Sequence, residues 1–381
     1  LCLGGAIKHD NYQPIKTSEW GDDLIIYPVD GYGNPDMIRS LLRSEKPQIL
    51  WFMTDPRFWG WLWQMEDEIR PLVPMVYYHV WDNFPAPTYN KAWYESTDVI
   101  ACISKLTKDV VDQVVPEHNG TIYLPHSVNT DLFYKMPEDE VLAHRLEHFP
   151  NSEDKTIFFW NNRNARRKQS GSLLFWFNTF LNKVGRDKSI LLMHTDPKDP
   201  HGQDLDAIVK HLDLDQGQVF LSRQKLPPEG LAMMYNFTDC TISVSDAEGF
   251  GLATLESLAC ETPIIVTKTG GLQEQLTDGE NEFGLGLEPT SKAIIGSQEI
   301  PWIYEDRLSE EVVVNALEKI HYMDKEEREM LGHMGRQHVL KNYNMDTFAK
   351  QWDDLFSHTI EKHGSWENRK DYKSWQLLEV K

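Results

Sequence analysis

Short apolar runs alternate with polar or amphipathic segments through the first half of the chain. The strand-like runs are Asp23 to Val29, Gln48 to Met53, Met75 to Val80, Asp98 to Ile103 and Thr121 to Leu124. Runs rich in β-branched and aromatic residues are typical of buried strands, and the longer segments between them are typical of helices and loops. The alternation predicts an α/β domain with a parallel sheet.

A polar, acidic stretch from Pro137 to Lys155 interrupts this pattern, which then restarts. The second set of strand-like runs is Thr156 to Trp160, Ser189 to Met193, Gln218 to Leu221, Cys240 to Val244 and Pro263 to Val266. We therefore expect two α/β domains in tandem, over residues 1–150 and 151–345. Beyond Glu310 the pattern is mostly helical, and we expect a C-terminal helix in residues 346–381, with one apolar face around Trp352.

The strand that begins at Cys240 leads into a glycine turn that places two carboxylates eight residues apart. Glu248 precedes the Gly249-Phe250-Gly251 turn, and Leu252 starts an apolar helical pattern that contains Glu256 and ends before Pro263. Glycines let a backbone approach a ligand closely, and the free N–H groups of a helix N-terminus suit an anionic diphosphate. Glu256, one turn inside the helix, is then placed to accept hydrogen bonds from a vicinal diol such as a ribose.

The same residues fit a simpler interpretation at this stage. Glu256 could be a solvated helix residue, and Glu248 could interact with the dipole of the first helical turn. The segment alone does not choose between a nucleotide-sugar site and ordinary helix capping.

A second candidate site follows the strand that ends at Trp160. Four cations lie within six positions of a strongly acidic chain, namely Arg163, Arg166, Arg167 and Lys168. Taken alone, this cluster is typical of a basic surface that is exposed to solvent. Ligands of open α/β sheets bind beyond the carboxyl ends of strands, where this turn and the Glu248 turn both lie, and that pairing favours a shared anion site. Arg163 could fork onto phosphate oxygens, and Lys168, expected one turn into the next helix, could act as a compact charge.

Composition narrows the possible functions. The 381 residues carry 38 Lys and Arg against 59 Asp and Glu, a net charge of −21, which argues against a general nucleic-acid binder or a protein held on anionic lipid. No apolar run approaches a membrane span, and the first residues lack a signal-peptide pattern, so we expect a cytoplasmic protein. The four cysteines are scattered and are expected to be reduced and buried, and His194, His201 and His211 lack tight ligand spacing, so no dedicated metal site is expected.

Tryptophan is concentrated in the first half of the chain. The residues are Trp51, Trp59, Trp61, Trp63, Trp81 and Trp93. The Trp59-Gly-Trp-Leu-Trp segment could form a membrane-interface or sugar-stacking surface. Because aromatic side chains more often fill cores, and because the chain is acidic, we favour a core or a cleft wall over membrane contact.

These residues together resemble the retaining glycosyltransferases of family 4. Glu248 and Glu256 match the family's E-x7-E pair, and Arg163 with Lys168 match its Arg-x4-Lys. Three further stretches agree in order and spacing, namely Leu124 to Phe133 (with Ser127 in place of a glycine), Val219 to Gln224 with Leu231 to Tyr235, and Thr269 to Asn281. The resemblance implies a GT-B fold, in which two Rossmann-like domains with parallel sheets face a central cleft, the first binding the acceptor and the second the donor. It also implies that the C-terminal helix, in residues 346–381, crosses back onto the N-terminal domain.

The resemblance also implies roles for individual residues. Glu256 would bind the nucleotide ribose, Glu248 would face the donor sugar, and Arg163 and Lys168 would grip the pyrophosphate. Backbone amides of Gly249, Phe250, Gly251 and Leu252 would hold phosphate and sugar, and the segment with Arg223 would meet the nucleotide base. His79 resembles in position a family histidine near the transferred sugar, accompanied by Asp82, although a packed histidine at a strand end fits equally.

Family members begin with a strand, a glycine-rich loop and a helix, whereas this chain begins at what matches the second strand, Leu1 to Gly5. Gly4 and Gly5 could be the glycine-rich loop itself, but the distance to Asp23 and Pro47 fits a missing first strand-helix unit better, and we expect that unit to be missing. The resemblance implies transfer from a nucleoside diphosphate sugar to an unknown acceptor, with retention and without a metal or other cofactor. The alternatives are a nucleotide-sugar 2-epimerase, a hydrolase, or a donor-binding module without transfer activity. A Rossmann oxidoreductase is disfavoured, since no G-x-G-x-x-G follows a strand.

Overall fold

The computed structural model describes residues 1–5, 9–370 and 372. Its first unit holds the strands β1 (Cys2–Gly4), β2 (Ile15–Lys16), β3 (Ile25–Pro28), β4 (Leu50–Thr54), β5 (Met75–His79), β6 (Val99–Cys102) and β7 (Thr121–Tyr123). Its helices are α1 (Pro35–Glu45), α2 (Gly60–Trp63), α3 (Glu66–Ile69), α4 (Lys91–Glu95) and α5 (Lys105–Val114). Strands β4-β5-β6-β7 form a parallel sheet in that order, and β1-β3-β2 form a small mixed sheet.

The second unit is built around one six-stranded parallel sheet. Its strands are β8 (Thr156–Asn161), β9 (Ser189–His194), β10 (Val219–Ser222), β11 (Cys240–Ser243), β12 (Ile264–Thr267) and β13 (Gly284–Leu287). The surrounding helices are α6 (Glu138–His148), α7 (Ser170–Val184), α8 (Leu205–His211), α9 (Pro228–Phe237), α10 (Leu252–Ala259) and α11 (Leu272–Leu276). The spatial order β10-β9-β8-β11-β12-β13 reverses direction between β8 and β11. A crevice opens at such a switch point, and it is where ligands bind in this class of sheet.

A hairpin and three helices complete the chain. They are β14 (Ser291–Ile295), β15 (Ile303–Arg307), α12 (Glu310–Tyr322), α13 (Lys325–Asn342) and α14 (Met345–His363). Short 3-10 turns span Gly21–Asp23, Pro56–Phe58, Thr88–Asn90, Arg166–Lys168 and Trp366–Asn368. None of the helices in the described residues combines the length and the apolar character needed to cross a bilayer.

Each sheet packs one face into a core of its own, and its other face belongs to a cluster that both units share. The C-terminal helix packs on the first sheet. Phe158 and Trp160 on β8 pack with Phe177 on α7, all fully buried. On α14, the Trp352 ring makes edge contacts with Trp51 on β4 and Tyr78 on β5, with centroids 5.8 and 5.1 Å apart. These aromatic contacts hold α14 against the first sheet. The last part of the expected 346–381 helix, residues 371 and 373–381, lies outside the described residues.

Several details differ from the sequence expectations. Cys2 is exposed, because it lies on a short outer strand, whereas the other three cysteines are buried. Lys168 lies in a 3-10 turn before α7 rather than inside the helix, since Gln169 adopts a left-handed conformation with φ +56°. The polar stretch 137–155 forms α6, which packs on α9. The hairpin β14–β15 carries no strong apolar alternation, and the sequence did not predict it.

Candidate functional site

The basic turn after β8 and the Glu248 turn after β11 lie side by side at the switch point. The backbone N–H of Asp246 donates to the Arg167 carbonyl oxygen at 2.8 Å. In return, the Arg167 guanidinium donates to the Ala247 carbonyl oxygen, and the Lys168 ammonium contacts the Glu248 carboxylate. Two turns that are 80 residues apart in sequence therefore form one surface.

Lys168 is a buried cation in this surface. Its residue is 7% exposed, and burial lowers the pKa of the ammonium well below its ordinary value, with the neighbouring Arg167 adding to the effect and Asp82 opposing it. A second charged group, Arg167 Nη1, lies 3.7 Å from Glu248 Oε2. An anion bound here would face two cations. Lys168 is in a poorly solvated position, where electrostatic attraction is strongest, whereas the Arg167 side chain is 41% exposed.

The glycine turn brings backbone rather than side chains to the crevice. Gly251 has φ +94°, a left-handed conformation that suits glycine, and α10 begins at the next residue. Gly270 also has positive φ, and its Cα faces the Glu248 carbonyl oxygen so closely that a side chain would clash there. Gly271 N–H donates to the same oxygen at 3.0 Å. The N-terminal amides of α10 are thus held at the crevice by a second glycine turn.

Glu256 lies one turn inside α10, in a polar chain of three residues. Tyr235 donates its hydroxyl proton to Glu256 Oε2 at 2.7 Å, and Asn161 Nδ2 donates to the same hydroxyl oxygen at 2.8 Å. Burial raises the pKa of Glu256 to about 7, and the Tyr235 hydrogen bond opposes this shift only in part. The carboxylate is therefore poorly solvated and retains lone pairs for further donors, as a ribose diol would supply.

The first unit supplies the opposite side of the crevice. Gly249 lies so close to the loop after β5 that a Cβ atom on it would be 2.8 Å from the Val80 carbonyl oxygen. Asp82 in the same loop is near enough to Arg167 and Lys168 for both cations to lower its pKa, although burial raises that pKa more strongly. The two units therefore meet at the glycine turn.

The hairpin β14–β15 joins the two sides of the crevice. On the second unit, Arg307 pairs with Asp246 at 2.9 Å and with Glu305 at 2.5 Å. Both of these acidic residues are buried, each with 2% exposure. Arg166 also contacts Glu305. On the first unit, Tyr304 N–H donates to the Phe84 carbonyl oxygen at 2.6 Å. This hairpin fixes the loop after β5 relative to the Glu248 turn.

Residues 181–318 match the family model for Glycosyl transferases group 1. The chain therefore carries a glycosyltransferase group 1 domain. The matched range contains Glu248 and Glu256. Lys168 lies outside it, on the neighbouring turn.

Two curated relatives and two solved structures are similar to the chain. N-acetyl-alpha-D-glucosaminyl L-malate synthase of Bacillus anthracis is 23% identical over 234 residues, which cover 61% of this chain and 58% of that protein. D-inositol 3-phosphate glycosyltransferase of Acidothermus cellulolyticus is 38% identical over 69 residues, 18% of this chain and 15% of that protein. The chain thus spans less than two thirds of either relative.

The structural comparison extends over most of the chain. Sucrose-phosphate synthase of Thermosynechococcus elongatus superposes with a TM-score of 0.72 at 18% identity, covering 92% of this chain and 86% of that one. Anabaena HepE in complex with UDP and glucose superposes with a TM-score of 0.67 at 12% identity, and the superposition covers 87% of this chain and 86% of HepE. The fold is GT-B, as the sequence predicted.

Two residues assigned by the resemblance lie away from the Glu248 turn of the group 1 domain. Arg163 donates to Asp199 at 2.6 Å and contacts His201 Nδ1 at 2.7 Å, and its side chain is 60% exposed. Arg223 pairs with Asp206 on the surface. Lys168 and the unassigned Arg167 are the cations that this structure brings to Glu248.

His79 is fully buried on β5. Its Nδ1 lies 3.0 Å from the Tyr77 hydroxyl and its Nε2 lies 2.8 Å from the Tyr94 hydroxyl, so both ring nitrogens have partners. Burial lowers the pKa of this imidazole to about 3. This geometry favours the packed histidine over a residue that touches substrate.

Three residues that contact Glu248, Glu256 or their partners were not singled out from the sequence, namely Arg167, Asn161 and Tyr235. Asn161 ends β8 at the carboxyl edge, and that position is a signal that could have marked it. Tyr235 lay within the segment assigned to the nucleotide base, but its pairing with Glu256 depends on tertiary packing of α9 against α10. Arg167 lay in the basic cluster without being distinguished from its neighbours.

One group of possible metal ligands occurs in the described residues, on α6. His144, Glu147 and His148 place their ligand atoms within 4.8 Å of one another. The group contains no residue of the Glu248 turn or of the basic turn.

Proposed function

We propose that the protein transfers a sugar from a nucleoside diphosphate sugar to a hydroxyl acceptor, with retention of configuration at the anomeric carbon. The observation that carries the proposal is the meeting of Lys168, Arg167 and Glu248 at the switch point, one helical turn from the Glu256 pocket. This spacing matches a donor that has anionic phosphates beside a ribose diol. The family match and the structural similarity to HepE with bound UDP support the same donor class.

Each group has a distinct task in this proposal. Glu256 accepts hydrogen bonds from the ribose hydroxyls, while Lys168, Arg167 and the amides that begin α10 hold the diphosphate. As the bond between sugar and phosphate breaks, negative charge grows on the leaving diphosphate, and these fixed donors stabilise it without a metal. Glu248 faces the donor sugar, and the proposed mechanism does not use it as a nucleophile.

Retention follows from attack on the face that the diphosphate leaves. The acceptor oxygen forms the new bond to the anomeric carbon, the old bond to phosphate breaks, and the leaving phosphate oxygen takes the acceptor proton. Gly249 lies so close to the Val80 carbonyl that a side chain would not fit between them, and exclusion of water on this side of the turn would limit hydrolysis.

Product analysis tests this function. The protein is incubated with UDP-glucose, ADP-glucose or GDP-mannose, with and without a panel of saccharide acceptors, and products are identified by NMR of the anomeric protons. We expect a new glycoside with the donor's anomeric configuration. An epimerised donor sugar without acceptor, free sugar alone, or an inverted linkage would contradict the proposal.

A further inference from the structure

The loops of the first unit that adjoin Asp82 form one wall of the crevice, and their chemistry differs from that of the donor side. The wall consists of the turn after β4 (Asp55 to Phe58), the loop after β5 (Val80 to Tyr89) and the tip of the hairpin (Glu299 to Trp302). The Tyr89 hydroxyl donates to the Trp302 carbonyl oxygen at 2.8 Å, which joins the hairpin tip to the loop. An acceptor that approaches the donor from the first unit meets this wall.

The wall carries more negative than positive charge. Its carboxylates are Asp55, Asp82 and Glu299, and all three lie within electrostatic range of Arg57. That guanidinium is already held in a forked pair by Asp55, with Nε–Oδ1 at 3.0 Å and Nη2–Oδ2 at 2.9 Å. In the described part of the wall, the charge of Arg57 is thus offset by Asp55. Arg167 and Lys168 lie near Asp82 on the donor side. Once a donor diphosphate occupies these two cations, Asp82 and Glu299 remain as negative charges in excess.

The wall also presents flat apolar surfaces. Phe58 is 39% exposed and stacks on Tyr32 with ring centroids 4.2 Å apart at an interplanar angle of 12°. Trp302 is 38% exposed and makes an edge contact with Tyr89 at 5.1 Å. Exposed aromatic faces beside hydrogen-bond acceptors suit the C–H faces and hydroxyl groups of a sugar ring.

We propose that the acceptor is an uncharged saccharide, without a phosphate or carboxylate group. The wall offers carboxylates to sugar hydroxyls and aromatic rings to the sugar ring. While the donor occupies Arg167 and Lys168, the wall would repel a phosphomonoester placed beside Asp82. This inference rests on the proposed function, because it concerns the second substrate of the same crevice. The inference also distinguishes this chain from its structural neighbour, sucrose-phosphate synthase, whose name describes formation of a phosphorylated product.

Binding of the acceptor can be measured without transfer. Saturation-transfer difference NMR is recorded with the whole chain and saturating UDP, on matched pairs of glucose, fructose, N-acetylglucosamine and myo-inositol with their monophosphates. We expect at least one uncharged member to bind on the order of tenfold more tightly than its phosphate, since like charges at close range strongly disfavour a complex. The inference would be overturned if the monophosphates bound more tightly than their uncharged counterparts, or if no uncharged saccharide gave a signal.

Two variants relate the preference to the wall. Glu299→Gln and Asp55→Asn each remove one negative charge, and Asp55→Asn also releases Arg57. Both variants should therefore reduce the ratio of affinities between a sugar and its phosphate by several-fold. Glu326→Gln makes the same charge change at an exposed position on α13. It should leave the ratio of affinities between a sugar and its phosphate unchanged. UDP affinity, measured in parallel, reports on the donor site alone. Loss of UDP binding in wild type overturns the proposed function and this inference together, whereas a phosphate preference with normal UDP binding overturns the inference only.

Discussion

Tyr235 donates its hydroxyl proton to Glu256 across the packed pair of helices α9 and α10, at 2.7 Å. Asn161 supplies the third member of the chain from the end of β8. Burial of this carboxyl is costly in the absence of a ligand, because its pKa rises from 4.5 to about 7. A group kept at such a cost is better explained by ligand binding than by stability.

The first prediction concerns stability and its pH dependence. Between its unfolded pKa and its folded pKa, Glu256 binds more protons in the folded state, so its contribution to stability falls as pH rises and is least favourable above about pH 7. Glu256→Gln should therefore raise the free energy of unfolding at about pH 8, by at most roughly 3 kcal/mol, and have little effect near pH 4.

Urea unfolding of wild type and Glu256→Gln at the two pH values measures this effect. The same variant should weaken nucleotide binding, because an amide carbonyl is a poorer acceptor for ribose hydroxyls than a carboxylate. A variant that is less stable at both pH values would show that Glu256 serves the fold.

The second prediction distinguishes the two arginines near the basic turn. Lys168→Ala should lower kcat on the order of 100-fold or more, because it removes a fixed donor for the leaving diphosphate. Arg167→Ala should cost more activity than Arg163→Ala, because Arg167 lies beside Glu248 while Arg163 is paired with Asp199. Steady-state rates with one donor and acceptor compare the three variants. The reverse order of the two arginines would assign the phosphate role to Arg163 and require the Asp199 pair to open.

The third prediction concerns the buried ion cluster beneath the hairpin. Arg307→Ala leaves Asp246 and Glu305 with fewer partners in a buried position, and breaking such a pair typically destabilises by about 3–5 kcal/mol. Lys292→Ala is the matched control, since Lys292 is exposed and its 3.8 Å pair with Asp306 should contribute less than about 1 kcal/mol. Thermal unfolding compares both variants. Equal, small shifts in Tm would show that the cluster is not maintained in solution.

The fourth prediction concerns the contact between the two units at the glycine turn. Gly249→Ala places a methyl group 2.8 Å from the Val80 carbonyl oxygen, so it should separate the units locally and lower transfer activity by more than tenfold if closure assembles the site. Gly230→Ala in α9 is the control, because its new methyl group would lie at least 3.6 Å from neighbouring atoms. Activity and Tm are measured for both. Full activity of Gly249→Ala would contradict a closed arrangement during transfer.

Much of the fold could be predicted because buried parallel strands are continuous apolar runs. Strands β5 and β11 lie within the runs that begin at Met75 and Cys240. The hairpin escaped prediction, since Ser291 to Arg307 mixes polar and apolar residues and is held by distant partners such as Asp246 and Phe84. Pairings between residues far apart in sequence leave no periodic signal.

The candidate site was likewise predictable from the sequence in some parts and not in others. The turn with Glu248 and Glu256 was predictable from strand, glycine and helix signals, and its position beside Lys168 follows from strand order. Sequence spacing could not show that Asp199 holds Arg163, because that pair depends on a loop 36 residues away. Nor could it show that Tyr77 and Tyr94 enclose His79.

Nucleotide affinity tests the central claim, that the Glu248 turn and the basic turn form one site for a nucleoside diphosphate. Isothermal titration of UDP, ADP and GDP compares wild type with Lys168→Ala and Glu256→Ala, and with Glu326→Gln as a charge control. We predict that at least one nucleotide binds wild type, that each site variant weakens it by about tenfold or more, and that the control does not. Absence of binding by all three nucleotides, or unchanged affinity in both site variants, would contradict the account.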